Sequence, residues 1–231
     1  MLQDDVIAMD GWYHRTVAGI EQAETKSALE HGSADFLYLR LFYTEEFLGW
    51  NSEDWLAHAI WSVSVIASLR ITLYGASFCF IQRHLTARAI LAMCALPMPL
   101  MVLLFFAAGK LTVLPLPAGV NRMDNFGCCA QGLVFPRHKA LRLIDWYEQS
   151  HVGFVDMLTE DYADDHVELR WALTPSVLQH IGRKSSKGDD FGGDAKHSMS
   201  VAEKLWNFAF ELNDAAELRK EHDAYRRPSN Q

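Results

Sequence analysis

The hydrophobic positions of this chain are concentrated in its middle. Two apolar runs, residues 56–81 and 89–114, stand between polar, patterned flanks. The first reads LAHAIWSVSVIASLRITLYGASFCFI and carries His58 and Arg70; the second reads AILAMCALPMPLMVLLFFAAGKLTVL and carries Lys110 near its end. A membrane-spanning helix needs about 20 mostly apolar residues, whereas ordinary helices average about 11–12. Each run is therefore long enough to cross a bilayer. A buried helix pair in a soluble core is the competing reading, and it fits these lengths less well. The connector holds Arg83, His84 and Arg88, and so short a link makes a hairpin. Basic residues in short loops favour the cytoplasmic side, so both flanks are expected on the opposite side. The hairpin then interrupts a domain rather than following one. Arg70 falls within the first span, where charge is costly. It must snorkel, face a partner or meet a lipid headgroup. Pro97 and Pro99 would break a soluble helix and are better tolerated in a membrane, where neighbours satisfy the freed backbone groups.

The flanks show shorter periods. Residues 10–31 read as a helix with Trp12, Val17, Ile20 and Ala23 along one face, closed by Gly32-Ser33. Residues 35–43, DFLYLRLFY, read as a buried strand. Trp50, Trp55 and Trp61 suit the membrane interface. After the hairpin, residues 133–135 predict a short strand limited by Pro136. Residues 137–149 predict an amphipathic helix, and Asp156 opens another that runs to Ala163. Residues 167–173 alternate partly and suit an edge strand. Residues 177–182 follow Pro175, and a polar, Gly-rich loop spans 183–193. Residues 200–220 predict one amphipathic helix with Leu205, Phe208, Ala209, Leu212 and Leu218 on one side; the tail is expected to fray. The pattern divides the chain into 1–55, the hairpin 56–114, 115–191, and a helix with tail over 192–231.

Composition narrows the function. A formal net charge of -8 over 231 residues argues against nucleic acid, which wants a basic face. The start, MLQDD, has neither the basic residues nor the apolar core of a secretory signal. Flanks on the non-cytoplasmic side then imply residues upstream of Met1, or a hairpin that directs its own insertion. Cys79 and Cys94 fall in the spans as small apolar packers. Cys128 and Cys129 are adjacent: a strained vicinal disulfide, a bridge to another segment and two free thiols all stay open. Asp4 and Asp5 precede Val6-Ile7-Ala8. Paired acids at a strand suit a divalent metal, because hard cations take carboxylate oxygens and bridge to phosphates. They equally suit a solvated acidic turn.

Taken in series, these pieces resemble the Golgi transferases that add a side-chain N-acetylgalactosamine to the glycan of GPI anchors. That family carries a membrane hairpin inserted into a GT-A domain, with an acidic metal-binding motif before it. Gln3-Asp4-Asp5-Val6 resembles that motif, and residues 36–43 resemble the strand leading to the hairpin. Cys128-Cys129 with Leu133-Val-Phe-Pro136, Gly153-Phe154 with Asp156-Met157, and Leu178-Gln-His-Ile-Gly182 with Ser185-Ser186 follow in the family's order. The resemblance covers residues 2 to about 190. Gln3 stands where the family has an acid. The family's upstream half, which holds most nucleotide-binding strands, has no counterpart here, so the chain reads as the C-terminal part of such an enzyme.

The resemblance implies an α/β fold, a partial GT-A domain interrupted by a two-helix transmembrane hairpin, in the Golgi membrane with its globular part lumenal. It implies transfer of a sugar from a UDP-sugar to a GPI-anchor mannose with inversion, using Mn2+ or Mg2+. Its expected partners are the lipid bilayer, the UDP-sugar and the glycan of a GPI-anchored protein. A metal acting as Lewis acid would neutralise the leaving diphosphate. Asp5 and His180 are the expected metal ligands, with Asp4 in support at the cofactor. An inverting transfer needs a general base for the acceptor hydroxyl, and Asp156 is the candidate; an N-cap is its other reading. The competing class is a non-catalytic membrane scaffold or truncated pseudoenzyme without the nucleotide-binding half. A transferase that branches N-glycans is a third reading, which the hairpin disfavours.

Overall fold

The structure is a computed structural model. It describes residues 6–45, 48–50, 52–79, 86–124, 130–150, 152–181 and 206–226. The chain divides into two compact units. One is Leu48–Pro115; the other joins Met1–Phe47 to Leu116–Gln231.

The larger unit is mixed α/β. Strands β1 (Val6–Ala8), β2 (Tyr38–Arg40), β3 (Gly119–Arg122), β4 (Leu133–Val134), β5 (Arg170–Thr174) and β6 (Leu178–His180) form two small sheets. The four-stranded sheet has the order β3-β5-β2-β4. Only β2 and β5 run parallel, with Leu39 opposite Trp171. β1 and β6 form a separate antiparallel ladder, with Val6 opposite His180.

Alternation along the strands distributes two cores. Leu39, Leu41, Trp171 and Leu173 point to one side, where they pack with Phe42, Val177 and Leu178. Helix α1 (Trp12–His31) covers this side, burying Thr16, Gly19, Ala23 and Ser27. The fit at Gly19 is close, since a Cβ there would come within 3.1 Å of the Leu39 side chain. The Trp171 indole donates to the Ser27 hydroxyl at 2.9 Å. On the other side Tyr38 and Leu133 pack with Leu143 of α6 (Arg137–Ser150) and with Tyr162 and Ala163 of α7 (Val155–Asp165).

Three details differ from the sequence expectation. The stretch 167–173 is not an edge strand: β5 lies between β3 and β2, and all five of its residues are buried. The strand expected over 35–43 is regular strand at Tyr38–Arg40, while Leu37 and Leu41 on either side donate to the Leu169 and Gly132 carbonyls at 2.8 and 2.7 Å and are also buried. The single helix expected over 200–220 is two elements within the described residues. A 3-10 turn, Phe208–Leu212, is followed after Asn213-Asp214 by α8 (Ala215–Arg226). The physical reason is a pair of caps. Asn207 accepts the Phe210 N–H at 2.8 Å, and Asp214 accepts the N–H groups of Ala216 and Glu217 at 2.9 and 3.2 Å.

The second unit is helical. α2 (Trp55–Cys79) packs on α3 (Ala87–Ala95) and α4 (Pro97–Ala107), and a short α5 (Lys110–Val113) follows. Pro97 sits at the first position of α4 and separates it from α3 at Leu96. Among the described residues two stretches, Ser52–Gly75 and Ala87–Ala107, are long and apolar enough to cross a membrane. The Trp50 indole donates to the Phe106 carbonyl at 3.0 Å, and its ring packs against His58, Phe105 and Phe106.

Candidate functional site

His180 closes β6. Leu178, two residues earlier on the same strand face, belongs to the core under α1. His180 is buried at 7 % exposure, with its ring 6.2 Å from that of Phe42. The segment carrying it is tied down on several sides. The Ser176 hydroxyl lies 2.7 Å from the Leu41 carbonyl and 2.6 Å from that of Leu178. Gln179 Oε1 accepts the Asn207 N–H at 3.3 Å. Asn207 in turn donates to the Tyr43 carbonyl at 2.6 Å, and Asn213 donates to the Ser176 carbonyl at 2.8 Å. The C-terminal 3-10 turn thus braces the strand on which His180 stands. Glu45 accepts the Ala209 N–H at 2.7 Å, and burial holds its carboxyl above the usual carboxylate range.

Asp4 and Asp5 lie outside the described residues, as do Gln3, Cys128 and Cys129. The first described residue after them is Val6, which pairs with His180. Among the described residues no cluster of three or more His, Cys, Asp or Glu side chains could hold a metal.

Asp156 lies in the first turn of α7 and is half-buried. It is not the N-cap. That position falls to Phe154, with no side-chain cap, while Asp156 Oδ1 accepts the N–H of Met157 at 3.0 Å. A carboxylate in a first turn still gains from the helix dipole. It faces the Tyr147 phenol closely enough to add to the burial that raises that group. The structure does not bring Asp156 into contact with His180. Asp156 stands on α7, which packs on the Tyr38 side of the four-stranded sheet, and His180 on β6 of the separate two-stranded ladder.

Sequence reasoning missed the group that fixes α7. One turn after Asp156, Glu160 enters the sheet core at 6 % exposure. Its Oε1 accepts from the Tyr38 hydroxyl at 2.5 Å and from Arg40 at 3.1 Å; its Oε2 accepts from Arg170 at 2.9 Å. Arg170 also pairs with Asp164 at 2.7 Å. Burial pushes the Glu160 carboxyl upward, against the Tyr38 hydrogen bond and the two guanidiniums. Burial likewise raises the Tyr38 phenol. The signal was present in the chain. Arg40 and Arg170 each interrupt an apolar strand, and a lone arginine on a buried face requires a carboxylate partner.

Comparison with family models, curated proteins and solved structures gives no match to this chain.

Proposed function

We propose that the chain belongs to a metal-dependent inverting glycosyltransferase of GT-A type, acting in the Golgi membrane, that moves a sugar from a UDP-sugar to a mannose of the GPI-anchor glycan. N-acetylgalactosamine is the proposed sugar. The observation that carries the reading is the β1–β6 ladder. It sets Val6 against His180, and Asp5 is the residue directly before Val6. β1 and the strand that opens the His-Ile-Gly motif, far apart in sequence, are thus neighbours, and the acidic motif directly precedes β1 in the chain. Asp5 and His180 would hold Mn2+ or Mg2+, with Asp4 in support, and the metal would neutralise the departing diphosphate. The α/β unit interrupted by an apolar helical hairpin adds support. Asp156 would accept the proton of the attacking hydroxyl, held in place by the Glu160 anchor one turn away.

The test is transfer from UDP-N-acetylgalactosamine to a GPI glycan by the full-length protein in detergent with Mn2+. Asp5→Asn and His180→Ala are each expected to lower kcat at least about 100-fold, the scale typical of lost metal support. Asp156→Asn is expected to lower kcat about 100-fold or more while leaving donor binding intact. Unchanged transfer in Asp5→Asn would contradict the metal assignment.

The placement of Asp156 on α7 and of His180 on the separate β1–β6 ladder favours a second reading, a non-catalytic membrane scaffold. Absence of both transfer and UDP-sugar binding in the full-length protein would select it.

A further inference from the structure

Within the helical unit, α2 and α4 enclose an apolar groove of about 340 Å³. Val65, Ile66 and Leu69 form one wall, and Met98, Met101 and Val102 the other. Arg70 does not line the groove itself; it follows the lining residue Leu69 in α2, one turn beyond Ile66. The Arg70 Cζ lies 5.8 Å from the ring centroid of Tyr74, one turn further along α2. The side chain is exposed. It stands nine positions before the end of α2 at Cys79, about 13 Å of helix. Arg70 thus stands in the connector-side half of α2, where a snorkelling arginine would reach the leaflet that the connector enters at lower cost in lipid.

We propose that this groove and Arg70 form a site for one anionic phospholipid of that leaflet. The phosphate pairs with the Arg70 guanidinium, and an acyl chain lies along the groove between α2 and α4. Charge complementarity selects the occupant, because a zwitterionic lipid brings its own cation beside its phosphate. The site rests on the reading of α2 and the α3–α4 run as membrane spans and is independent of sugar transfer.

Native mass spectrometry of the full chain, released from nanodiscs of equimolar phosphatidylglycerol and phosphatidylcholine, tests the site. The wild type is expected to retain phosphatidylglycerol in about five-fold excess, the scale of one cation acting on an anionic lipid. Arg70→Gln is expected to bring the ratio to unity, and Arg70→Lys to keep most of the excess. Met101→Trp, which fills the groove, is expected to reduce retention of both lipids. An equal ratio in the wild type, or an excess that survives Arg70→Gln, overturns the proposal. Carbonate extraction of the same protein from membranes separates the two possible failures. Release by carbonate removes the spans and the site together; retention with an equal ratio removes the lipid site alone.

Discussion

At Glu160 three donors converge on one buried carboxylate, and the energetics of α7 follow from that point. Tyr38 and Arg40 share one oxygen and Arg170 takes the other. The pairing need not exceed what a well-packed apolar core would give, but removing one partner strands the others. Glu160→Gln would leave two buried guanidiniums facing a neutral amide. It is expected to cost about 3–5 kcal/mol in urea unfolding of the full chain. A loss near zero would mean that water reaches this network. Asp35 offers a pH test. Burial opposes its ionisation, but the Lys139 hydrogen bond and charge, with His138, outweigh it and hold the carboxyl below the usual range. A carboxyl lowered in the folded state contributes stability above its unfolded value and loses it as pH falls through the folded one. Thermal unfolding followed from neutral pH down past the carboxylate range is therefore expected to show a flatter acid limb for Asp35→Asn than for the wild type. Parallel limbs would remove Asp35 from the account. At this scale the sequence was only half readable. His180 and Asp156 carried motif signals, whereas Glu160 sits among acids that look like solvated surface, and only the sheet shows that it turns inward.

The elements were readable where one period held over several turns. α1, α6 and α7 fall close to their expected ranges because their apolar stripes recur at helical spacing. β3 was not foreseen: Gly119–Arg122 is four residues with Val120 as its one buried apolar position. β5 looked like an edge because polar and apolar residues alternate up to it. Its inner place depends on Arg170 being neutralised from the α7 side, which the strand's own residues do not reveal. The C-terminal stretch misled for another reason: its apolar stripe continues across Asn213-Asp214, but the caps there favour two elements over one. Asn207 holds this arrangement, fully buried between Tyr43, Gln179 and Phe210. Asn207→Ala leaves the Tyr43 carbonyl and the Phe210 amide without that partner, and is expected to cost about 2–3 kcal/mol. Limited proteolysis should then release α8 earlier than in the wild type. Unchanged cleavage would show that α8 is held by its Arg15–Glu221 and Arg219–Asp10 pairs instead.

For the whole molecule, the main feature is an α/β unit whose sequence is interrupted by an apolar helical unit. The unit's own contacts join residues on both sides of the interruption. β2 from before it pairs with β4 and β5 from after it, and β1 pairs with β6. Such long-range pairing requires both flanks to meet before the sheet can form. The same pairing sets β1, which follows Asp4 and Asp5 in the chain, beside the strand of His180, and the proposed chemistry would join those acids to it. The most direct measurement is calorimetric titration of the full-length protein with UDP-N-acetylgalactosamine, with Mn2+ and with a chelator. Binding that requires Mn2+ and is lost in both Asp5→Asn and His180→Ala is the expected result. Binding that is indifferent to Mn2+, or no binding at all, would contradict a metal-dependent transferase and leave the scaffold reading in its place.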